Sequence, residues 1–261
     1  MRAPSAAASP PHAASPPQLL SVVVPARNEE GSLRESADAL LAELARAAIP
    51  HELVIVDDGS TDRTAEVVRE LAAATPGVRL VRNLGRNGFG RAVIRGLEEA
   101  RGDALVLYMA DGSDATGDVV TYWRTLCAGW DCIFGSRFVR GGAAIDYPWP
   151  KLVLNRLANW FLRLLFRIPL NDTTNAFKAY RRHVIDGCRP LLSPHFNLTV
   201  ELPLKAIVRG YSWTVVPVTW RGRREGATKL RIKEMGSRYL YICLAVWLEK
   251  LLTRDDYRRT T

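Results

Sequence analysis

The chain has 261 residues, and its 48% hydrophobic and 24% charged content is typical of a soluble globular protein. Its formal net charge of +9 indicates an anionic partner: nucleic acid, a phosphate-bearing ligand or an acidic membrane surface. The four cysteines show neither C-x-x-C nor zinc-finger spacing, so we expect reduced, buried thiols, as in a cytosolic chain, and no disulfide scaffold.

Two segments bear on where the chain resides. Residues 1–18 are rich in Pro, Ala and Ser, which predicts a disordered tail and not a signal peptide. The longest strongly apolar run, residues 239–248, is shorter than the roughly 20 residues that a membrane-spanning helix needs. We therefore expect no segment that spans a bilayer.

From residue 19 onward, predicted strands alternate with predicted helices. The predicted strands are residues 19–25, 53–56, 78–82, 104–109 and 131–135. The predicted helices between them are residues 32–48, 62–74, 91–100 and a last one that ends near residue 129. This alternation predicts an α/β protein with a mostly parallel sheet and helices on both faces.

Paired acids follow two of these strands. Asp57 and Asp58 come directly after the second strand, and Asp111 and Asp114 come after the fourth. Ligands of open α/β sheets bind beyond the carboxyl ends of the strands, so we expect these carboxylates to face one crevice. Each turn alone is also explained by helix capping. Together they favour a site for Mg²⁺ or Mn²⁺ beside a bound diphosphate.

A glycine-rich loop, residues 85–90, follows the third strand. Its spacing is G-x-x-G-x-G and it does not follow the first strand, so it does not predict a Rossmann dinucleotide site. Glycine permits close approach, and we expect the loop to bring backbone N–H groups and Arg86 near a ligand.

Several motifs together resemble a known family. Ser21–Pro25 with Asn28-Glu29-Glu30, Val56–Asp62 and Asn87–Gly90 are similar to family 2 glycosyltransferases of the GT-A fold. Gly135-Ser-Arg137, Asp172–Lys178 and Arg223-x-x-Gly226-x-Thr228-Lys229 resemble the polyprenyl-phosphate (dolichyl-phosphate) mannosyl- and glucosyltransferases. The resemblance covers most of the chain after residue 19, and it implies a nucleotide-sugar donor.

The resemblance implies that Pro25, Glu29 and Asp57 contact the base and ribose of the donor. The whole predicted nucleotide-sugar site comprises Pro25, Ala26, Arg27, Asn28, Glu29, Asp57, Asp58, Gly59, Gly88, Ala110, Asp111 and Gly112.

The family's D-x-D metal motif is altered in this chain. Ala110 and Gly112 stand where its two acids are usual, and Asp114 matches the position of a third, weaker ligand. The predicted ligands of Mg²⁺ or Mn²⁺ are therefore Asp111 and Asp114.

Basic residues supply the remaining predicted site groups. Arg223, Thr228 and Lys229 lie on a basic loop, which is either a solvated charge run or, as the resemblance implies, a mobile loop that closes on the donor diphosphate. The predicted catalytic residues are Asp111, Asp114, Arg137, Arg223 and Lys229. The predicted acceptor-phosphate residues are Arg137, Arg156 and Arg163. We expect Glu201 and Asp172 to have structural or sugar-contacting roles.

Residues 148–168 form a predicted helix with one narrow polar stripe. The stripe comprises Lys151, Asn155, Asn159, Arg163 and Arg167. Leu, Trp and Phe side chains cover the rest of the helix, a pattern that favours a basic amphipathic helix lying in a bilayer interface. Packing against the apolar face of residues 238–252 is the alternative, and both hold if the two helices lie together on the membrane.

The resulting hypothesis is an inverting glycosyltransferase, peripheral on the cytoplasmic face of a membrane, that moves mannose from GDP-mannose to a polyprenyl phosphate. Alternatives are UDP-glucose as donor, a soluble family 2 enzyme with a saccharide acceptor, and a non-catalytic nucleotide-sugar-binding protein. We predict that residues 19–147 bind the donor and that residues 148–261 form the acceptor and membrane half of the same domain. The basic residues lie on no stacking or groove-reading module, so no nucleic-acid partner is expected.

Overall fold

A seven-stranded sheet is the centre of the computed structural model, which describes residues 15–222 and 232–257. Its strands are β1 (Leu20–Ala26), β2 (His51–Asp57), β3 (Val78–Arg82), β4 (Ala104–Leu107), β5 (Cys132–Ser136), β7 (Lys178–Arg181) and β8 (Trp213–Pro217). A separate parallel pair is formed by β6 (Ala143–Ile145) and β9 (Thr219–Arg221).

The helices are named in chain order. They are α1 (Leu33–Arg46), α2 (Thr64–Ala74), α3 (Phe89–Glu99), α4 (Thr116–Cys127), α5 (Trp149–Phe166), α6 (Arg182–Gly187), α7 (Leu198–Val208), α8 (Ile232–Leu252) and α9 (Arg254–Tyr257).

The strand order is β3-β2-β1-β4-β7-β5-β8, and every neighbouring pair is parallel except the two that include β7. The predicted mostly parallel sheet is therefore confirmed, with one antiparallel strand inserted in it. Because β1 pairs with both β2 and β4, the strand order reverses beside β1. A crevice opens at such a reversal, beyond the carboxyl ends of the strands.

Both faces of the sheet are buried, which explains the continuous apolar runs in its strands. Within β1, Val22 and Val24 pack with residues of α1, α2 and α4, whereas Val23 packs with residues of α3 and α7 on the opposite face. A third apolar cluster joins α5, α7 and α8. The predicted helices on both faces of the sheet are thus confirmed.

Element ends differ from the predictions where tertiary pairing decides them. Strand β2 begins at His51 and ends at Asp57 because β1 pairs with it from Leu20↔His51 to Ala26↔Asp57. Strand β4 stops at Leu107, two residues before the predicted end. Helix α8 begins at Ile232, six residues before the predicted residue 238.

The two predicted halves share the central sheet, since β7 and β8 come from the second half. Of the predicted tail, residues 1–14 lie outside the described residues. Residues 15–18 have no regular secondary structure, but the Ser15 carbonyl accepts a hydrogen bond from Arg181, and the Gln18 N–H donates to Asp103.

Helix α3 packs on the sheet through Gly96. A Cβ at this position would stand 2.4 Å from Val23 Cγ1 and 2.9 Å from Val56 Cγ2. We expect Gly96→Ala to lower the free energy of unfolding by about 1–3 kcal/mol through overpacking. Gly117→Ala is the matched control, because no atom lies within 4 Å of a Cβ there. In urea denaturation it should be neutral or stabilising by up to about 1 kcal/mol. Equal midpoints for the two variants would contradict this packing.

Candidate active site

One large cleft of about 1150 Å³ lies beyond the carboxyl ends of β1 and β4. Its wall combines the β1 end, the glycine loop, the acidic turn after β4, and segments near β6, β9, α5 and α8. The predicted residues that line it are Pro25, Ala26, Arg27, Glu29, Asp58, Gly88, Asp111, Asp114 and Arg137. The described predicted residues outside its lining are Asn28, Asp57, Gly59, Ala110, Gly112, Arg156 and Arg163.

The two acids after β2 have different surroundings. Asp57 Oδ1 accepts a hydrogen bond of 2.9 Å from the Ser60 N–H, and the residue does not line the cleft. Asp58 does line it, and its carboxylate accepts hydrogen bonds from the Gly88 N–H at 2.8 Å and from Asn83 Nδ2 at 2.6 Å. The expectation that all four acids face one crevice is therefore not met for Asp57. Asp58 instead fixes the glycine loop at the edge of the cleft.

The glycines of this loop allow a close approach of two chain segments. A Cβ on Gly88 would stand 2.3 Å from the Pro194 carbonyl oxygen, and one on Gly90 would stand 2.1 Å from that of Ser193. Phe89 stacks on Phe196 with ring centroids 4.1 Å apart. Gly88 lines the cleft, but its N–H donates to Asp58, so any backbone N–H that the loop offers to a ligand would come from another residue.

The acidic turn after β4 contains a buried carboxylate. Asp114 is 4% exposed, and its Oδ2 has no hydrogen-bond partner among the described residues. Burial and then the neighbouring Asp111 carboxylate raise the pKa of Asp114 to about 8. Asp111 is less buried, and its Oδ1 accepts a 3.0 Å hydrogen bond from the Ser113 N–H.

These two acids fit a small divalent cation. Carboxylate oxygens are preferred ligands of Mg²⁺ and Mn²⁺, and the partnerless Asp114 Oδ2 is a buried donor atom that a cation would satisfy. Within residues 15–222 and 232–257 there is no group of three or more His, Cys, Asp or Glu side chains that could hold a metal. Water and phosphate oxygens would therefore have to complete the coordination, as is usual for Mg²⁺.

Strand β9 closes the cleft on the side of the acidic turn. Its Trp220 forms an isolated bridge with Asp114, and the Arg221 N–H donates to the Ser113 carbonyl at 2.9 Å. The centres of the Trp220 and Tyr147 rings lie 5.0 Å apart, and both residues line the same cleft as Asp111 and Asp114.

Arg137 is the central cation of the cleft. Its Nε and Nη2 each donate to the Asp172 carboxylate at 2.8 Å, and both side chains are buried. The guanidinium carbon lies 5.4 Å from the ring centre of Phe138, 5.3 Å from that of Tyr147 and 5.8 Å from that of Trp220. The ion pair and the aromatic rings hold the guanidinium in one orientation.

The other predicted cations lie elsewhere. Arg156 donates to the Asn171 carbonyl and stacks over Phe138, and Arg163 is exposed on α5. Arg223 and Lys229, with Thr228, lie outside the described residues, so their predicted roles stay predictions.

Glu201 is fully buried on α7 and does not line the cleft. Its carboxylate accepts backbone N–H groups of Leu192 and Ser193, both at 2.8 Å, and pairs with Lys205 at 2.7 Å. These contacts give it the expected structural role, and they leave no carboxylate from α7 in the cleft.

The polar stripe of α5 is divided: Asn155 and Asn159 point into the protein, whereas Arg163 and Arg167 are exposed. Asn159 is fully buried, and both Asn155 and Asn159 hydrogen-bond to Thr174 Oγ1. At the other end of the helix, Leu162 and Phe166 pack against α8, as in the alternative interpretation of this helix. Seven other large apolar side chains of α5 are exposed: Trp149, Val153, Leu154, Leu157, Trp160, Phe161 and Leu164.

Helix α8 also has an exposed apolar side, formed by Leu240, Tyr241, Leu244, Leu248, Leu251 and Leu252. We call these six residues and the seven of α5 the apolar face. It begins next to the cleft, because Pro148 and Lys151 of α5 and Arg238 and Tyr239 of α8 line the cleft. In the described residues, no helix is long and apolar enough to cross a bilayer.

Comparison with known proteins decides the family. The model of glycosyl transferase family 2 matches residues 21–188. The chain belongs to this family. It is therefore a glycosyltransferase, and the cleft is the candidate active site of a family 2 enzyme.

Two relatives have names that specify an activity. The chain is 32% identical over 221 residues to the polyprenol monophosphomannose synthase of Mycolicibacterium smegmatis, covering 82% of each chain. It is 33% identical over 220 residues to the dolichol-phosphate mannosyltransferase of Pyrococcus furiosus, covering 82% of this chain but only 60% of that protein.

Solved structures establish the fold. The glucosyl-3-phosphoglycerate synthase of Mycobacterium tuberculosis, in a complex with Mn²⁺, UDP and phosphoglyceric acid, superposes with a TM-score of 0.65 at 22% identity. The match covers 89% of this chain and 78% of that one. The chain thus has the expected GT-A fold, which at this identity is all that the likeness shows.

Sequence reasoning missed several residues of the cleft. Tyr147, Phe196, Trp220 and Tyr239 come from four separate segments of the chain. Local patterns gave no signal for them, because β6 and β9 are three residues each and pair over more than 70 positions. Lys151 also lines the cleft, although it was expected only as part of the polar stripe.

The buried Asp114 Oδ2 atom, which has no hydrogen-bond partner among the described residues, leads to a prediction about stability. We expect Asp114→Asn to raise the free energy of unfolding by about 1–3 kcal/mol in buffer with EDTA, because it replaces a buried ionisable group whose Oδ2 has no hydrogen-bond partner in residues 15–222 and 232–257. Thermal denaturation measures this. Asp118→Ala is the control, since Asp118 accepts a 2.8 Å hydrogen bond from the Thr219 N–H and its loss should lower the melting temperature. A lower melting temperature for Asp114→Asn would show that its carboxylate has a stabilising partner.

Proposed function

We propose that this enzyme transfers a sugar, most simply mannose from GDP-mannose, to a polyprenyl phosphate at a membrane surface. The observation that carries the proposal is the junction between the cleft and the apolar face. At this junction Lys151 lines the cleft, whereas the adjacent Trp149 is 73% exposed. The names of the two relatives, which specify polyprenol and dolichol phosphates, support the same substrate class.

The donor would occupy the part of the cleft beside β1. Pro25 lies near the end of β1 there, and Arg27 and Glu29 follow this strand. Asp58 holds the glycine loop by accepting a hydrogen bond from the Gly88 N–H. This region contains both cationic and anionic side chains, a combination that suits a nucleoside with its diphosphate. Asp111 and Asp114 would hold Mg²⁺ or Mn²⁺, which when bound supplies positive charge to the diphosphate leaving group.

The acceptor phosphate would enter from the junction. Arg137, Lys151 and Arg238 are among the cations that line the cleft, and we assign Arg137 and Lys151 to holding the phosphate in line with the sugar. Arg156 and Arg163 remain candidates for guiding the acceptor phosphate along helix α5 to the cleft. A phosphate monoester is already anionic at neutral pH, so the transfer needs no strong general base. That is consistent with the burial of Glu201 away from the cleft.

The apolar face would contact the bilayer. An exposed patch of this size, which includes Trp160 at 64% exposure, is unusual for a surface in water. Arg163 and Arg167 are exposed at the end of α5, and each would contribute about 1 kcal/mol near an anionic leaflet. We place the contact on the cytoplasmic side of the membrane. In support, all four cysteines are free, which suits a reducing compartment.

Three alternatives make different predictions. A UDP-glucose-dependent enzyme would use the same cleft and acceptor, and only the donor differs. A soluble enzyme with a saccharide acceptor needs a carboxylate base, for which Glu201 is unsuitable. A non-catalytic nucleotide-sugar-binding protein is favoured only by Ala110 and Gly112 of the altered metal motif.

A donor and metal screen tests the proposal. Full-length protein is incubated with each of several nucleotide sugars, Mn²⁺ or Mg²⁺, and polyprenyl phosphate in vesicles, and released nucleoside diphosphate and glycolipid are measured. We expect one donor to give a β-linked glycolipid, with the activity lost in EDTA. We also expect Asp114→Asn to lower turnover by at least about 100-fold. No glycolipid with any donor, or transfer to a free saccharide instead, would reject the proposal.

Membrane attachment is tested separately by vesicle flotation. Each inserted apolar side chain contributes roughly 1–2 kcal/mol. We therefore expect the triple variant Leu157→Ser, Trp160→Ser, Leu164→Ser to partition at least about 100-fold less onto anionic vesicles. Leu84→Ser is the matched control, because Leu84 is 88% exposed and lies outside the apolar face. Unchanged flotation of the triple variant would exclude this face as the attachment site.

A further inference from the structure

Residues 171–175, which we call the connector, lie between α5 and β7 in the chain. Their hydrogen bonds link helix α5 to the end of strand β5. On one side, Asn171 Oδ1 accepts from Ser136 Oγ at 2.6 Å, and Asn175 Nδ2 donates to the Gly135 carbonyl at 3.0 Å. On the other side, the Thr173 N–H donates to Asn159 Oδ1 at 2.6 Å. The cleft and the helix that bears the apolar face are thus linked by five consecutive residues.

Asp172 is the member of the connector that pairs with Arg137. Its Oδ2 accepts from the Arg137 backbone N–H at 3.1 Å and from Arg137 Nε at 2.8 Å, while Oδ1 accepts from Arg137 Nη2 at 2.8 Å. Asp172 is fully buried, so solvent does not compete for these bonds. One carboxylate therefore fixes both the backbone and the side chain of Arg137.

The mode of pairing leaves part of the guanidinium available. Arginine has five N–H groups, and the pair uses the side of the fork formed by Nε and one N–H of Nη2. The end of the fork, formed by one N–H of Nη1 and the second N–H of Nη2, is the other edge that can bind phosphate in a bidentate way. Arg137 lines the cleft, so an arginine held from the side by Asp172 can present its end to an anion.

Asn159 extends this arrangement into α5. Its amide oxygen holds the Thr173 N–H, and its amide nitrogen donates to Thr174 Oγ1 at 3.1 Å. The side chain is completely buried, so it has no part in the apolar face. It anchors the residue next to Asp172 to the helix that we propose to lie on the membrane.

We propose that Asp172 and Asn159 are positioning residues for Arg137, which set the orientation of its guanidinium toward the acceptor phosphate. Asp172 acts on Arg137 directly, and Asn159 acts by fixing the connector to α5. The reaction in which they take part rests on the function proposed above. Their effect on the orientation of Arg137 does not.

The first test compares Asp172→Asn with the wild-type protein in the presence and absence of Arg137. We expect Asp172→Asn to lower kcat/KM for polyprenyl phosphate by about 10- to 100-fold, since small misplacement of a binding group has costs of this order. The KM for the donor should stay within twofold. In an Arg137→Gln background, adding Asp172→Asn should cause no further loss, because the group it positions is already absent.

A matched control separates positioning from folding. Asp131 is also buried, and it accepts hydrogen bonds from His183 at 2.9 Å and from Ser212 Oγ at 2.8 Å, away from the cleft lining. Asp131→Asn should lower the melting temperature without changing the KM for the acceptor. The proposal is overturned if Asp172→Asn is folded and retains kcat/KM within twofold, or if its loss is equally large in the Arg137→Gln background.

A second measurement does not depend on activity. In protein labelled with ¹⁵N-arginine, the Nε–H signal of Arg137 is identified by its absence in Arg137→Gln. We expect slow exchange of this proton with solvent in the wild type and exchange at least about tenfold faster in Asp172→Asn, as the charged hydrogen bonds are lost. Equal exchange rates would overturn the positioning role. If the wild type transfers no sugar to polyprenyl phosphate, the proposed function fails while this measurement still decides the role of Asp172.

Asn159→Ala tests the link to the helix. We expect the same pattern as for Asp172→Asn, with a loss of about tenfold in kcat/KM for the acceptor and unchanged flotation on vesicles. Full activity in a folded Asn159→Ala protein would remove Asn159 from the proposal. Rescue by Asn159→Gln is not expected, because the longer side chain does not fit the fully buried site.

Discussion

The pairing of β1 with β4 is the constraint on which the site depends. It places the strand order reversal next to β1, and with it the crevice that receives Pro25 and Ala26 from one strand and the acidic turn from the other. Four residue pairs hold the two strands in register, from Leu20↔Ala104 to Val23↔Leu107. Because both faces of these strands are buried, a slip of one residue would turn every side chain to the opposite face and is strongly disfavoured. The distance between the residues at the end of β1 and the acidic turn after β4 is therefore set by the packing of the core and not by the loops.

Local patterns predicted the elements that follow from periodicity and missed those that follow from pairing. The Asp57-Asp58 turn, the Asp111–Asp114 turn and the strand Val78–Arg82 could be read from sequence because each depends on neighbouring residues. The antiparallel strand β7 could not, since only its position between β4 and β5 fixes its direction. Likewise, the continuous apolar run within β1 indicates that both faces are buried but does not show which helices cover them.

Helix α5 illustrates a different limit. Its narrow polar stripe was visible in the sequence, but a helical pattern does not state which side faces the protein. The usual assumption puts polar residues in water and apolar ones in the core. Here the stripe at Asn155 and Asn159 is used to bind the connector, and the apolar side is left exposed. Buried asparagines are tolerated because their amide groups are hydrogen-bonded, whereas exposed apolar side chains are typical of an interaction surface.

Two buried ionisable side chains of the cleft, Arg137 and Asp114, differ in how their charge is compensated. Arg137 has a complete partner in Asp172, so its burial is compensated by an ion pair with three hydrogen bonds. Asp114 has an oxygen without a partner, and burial raises its pKa to about 8. A guanidinium fixed by Asp172 and a buried carboxyl group that a cation would ionise line the same cleft, and together they favour a ligand that carries negative charge at one end and binds a metal ion at the other. A sugar nucleotide approached by a phosphate has this distribution of charge, because its diphosphate lies on the far side of the sugar from the attacking group. The same arrangement would not favour a neutral hydroxyl acceptor, for which a base rather than a fixed guanidinium is required at the point of attack.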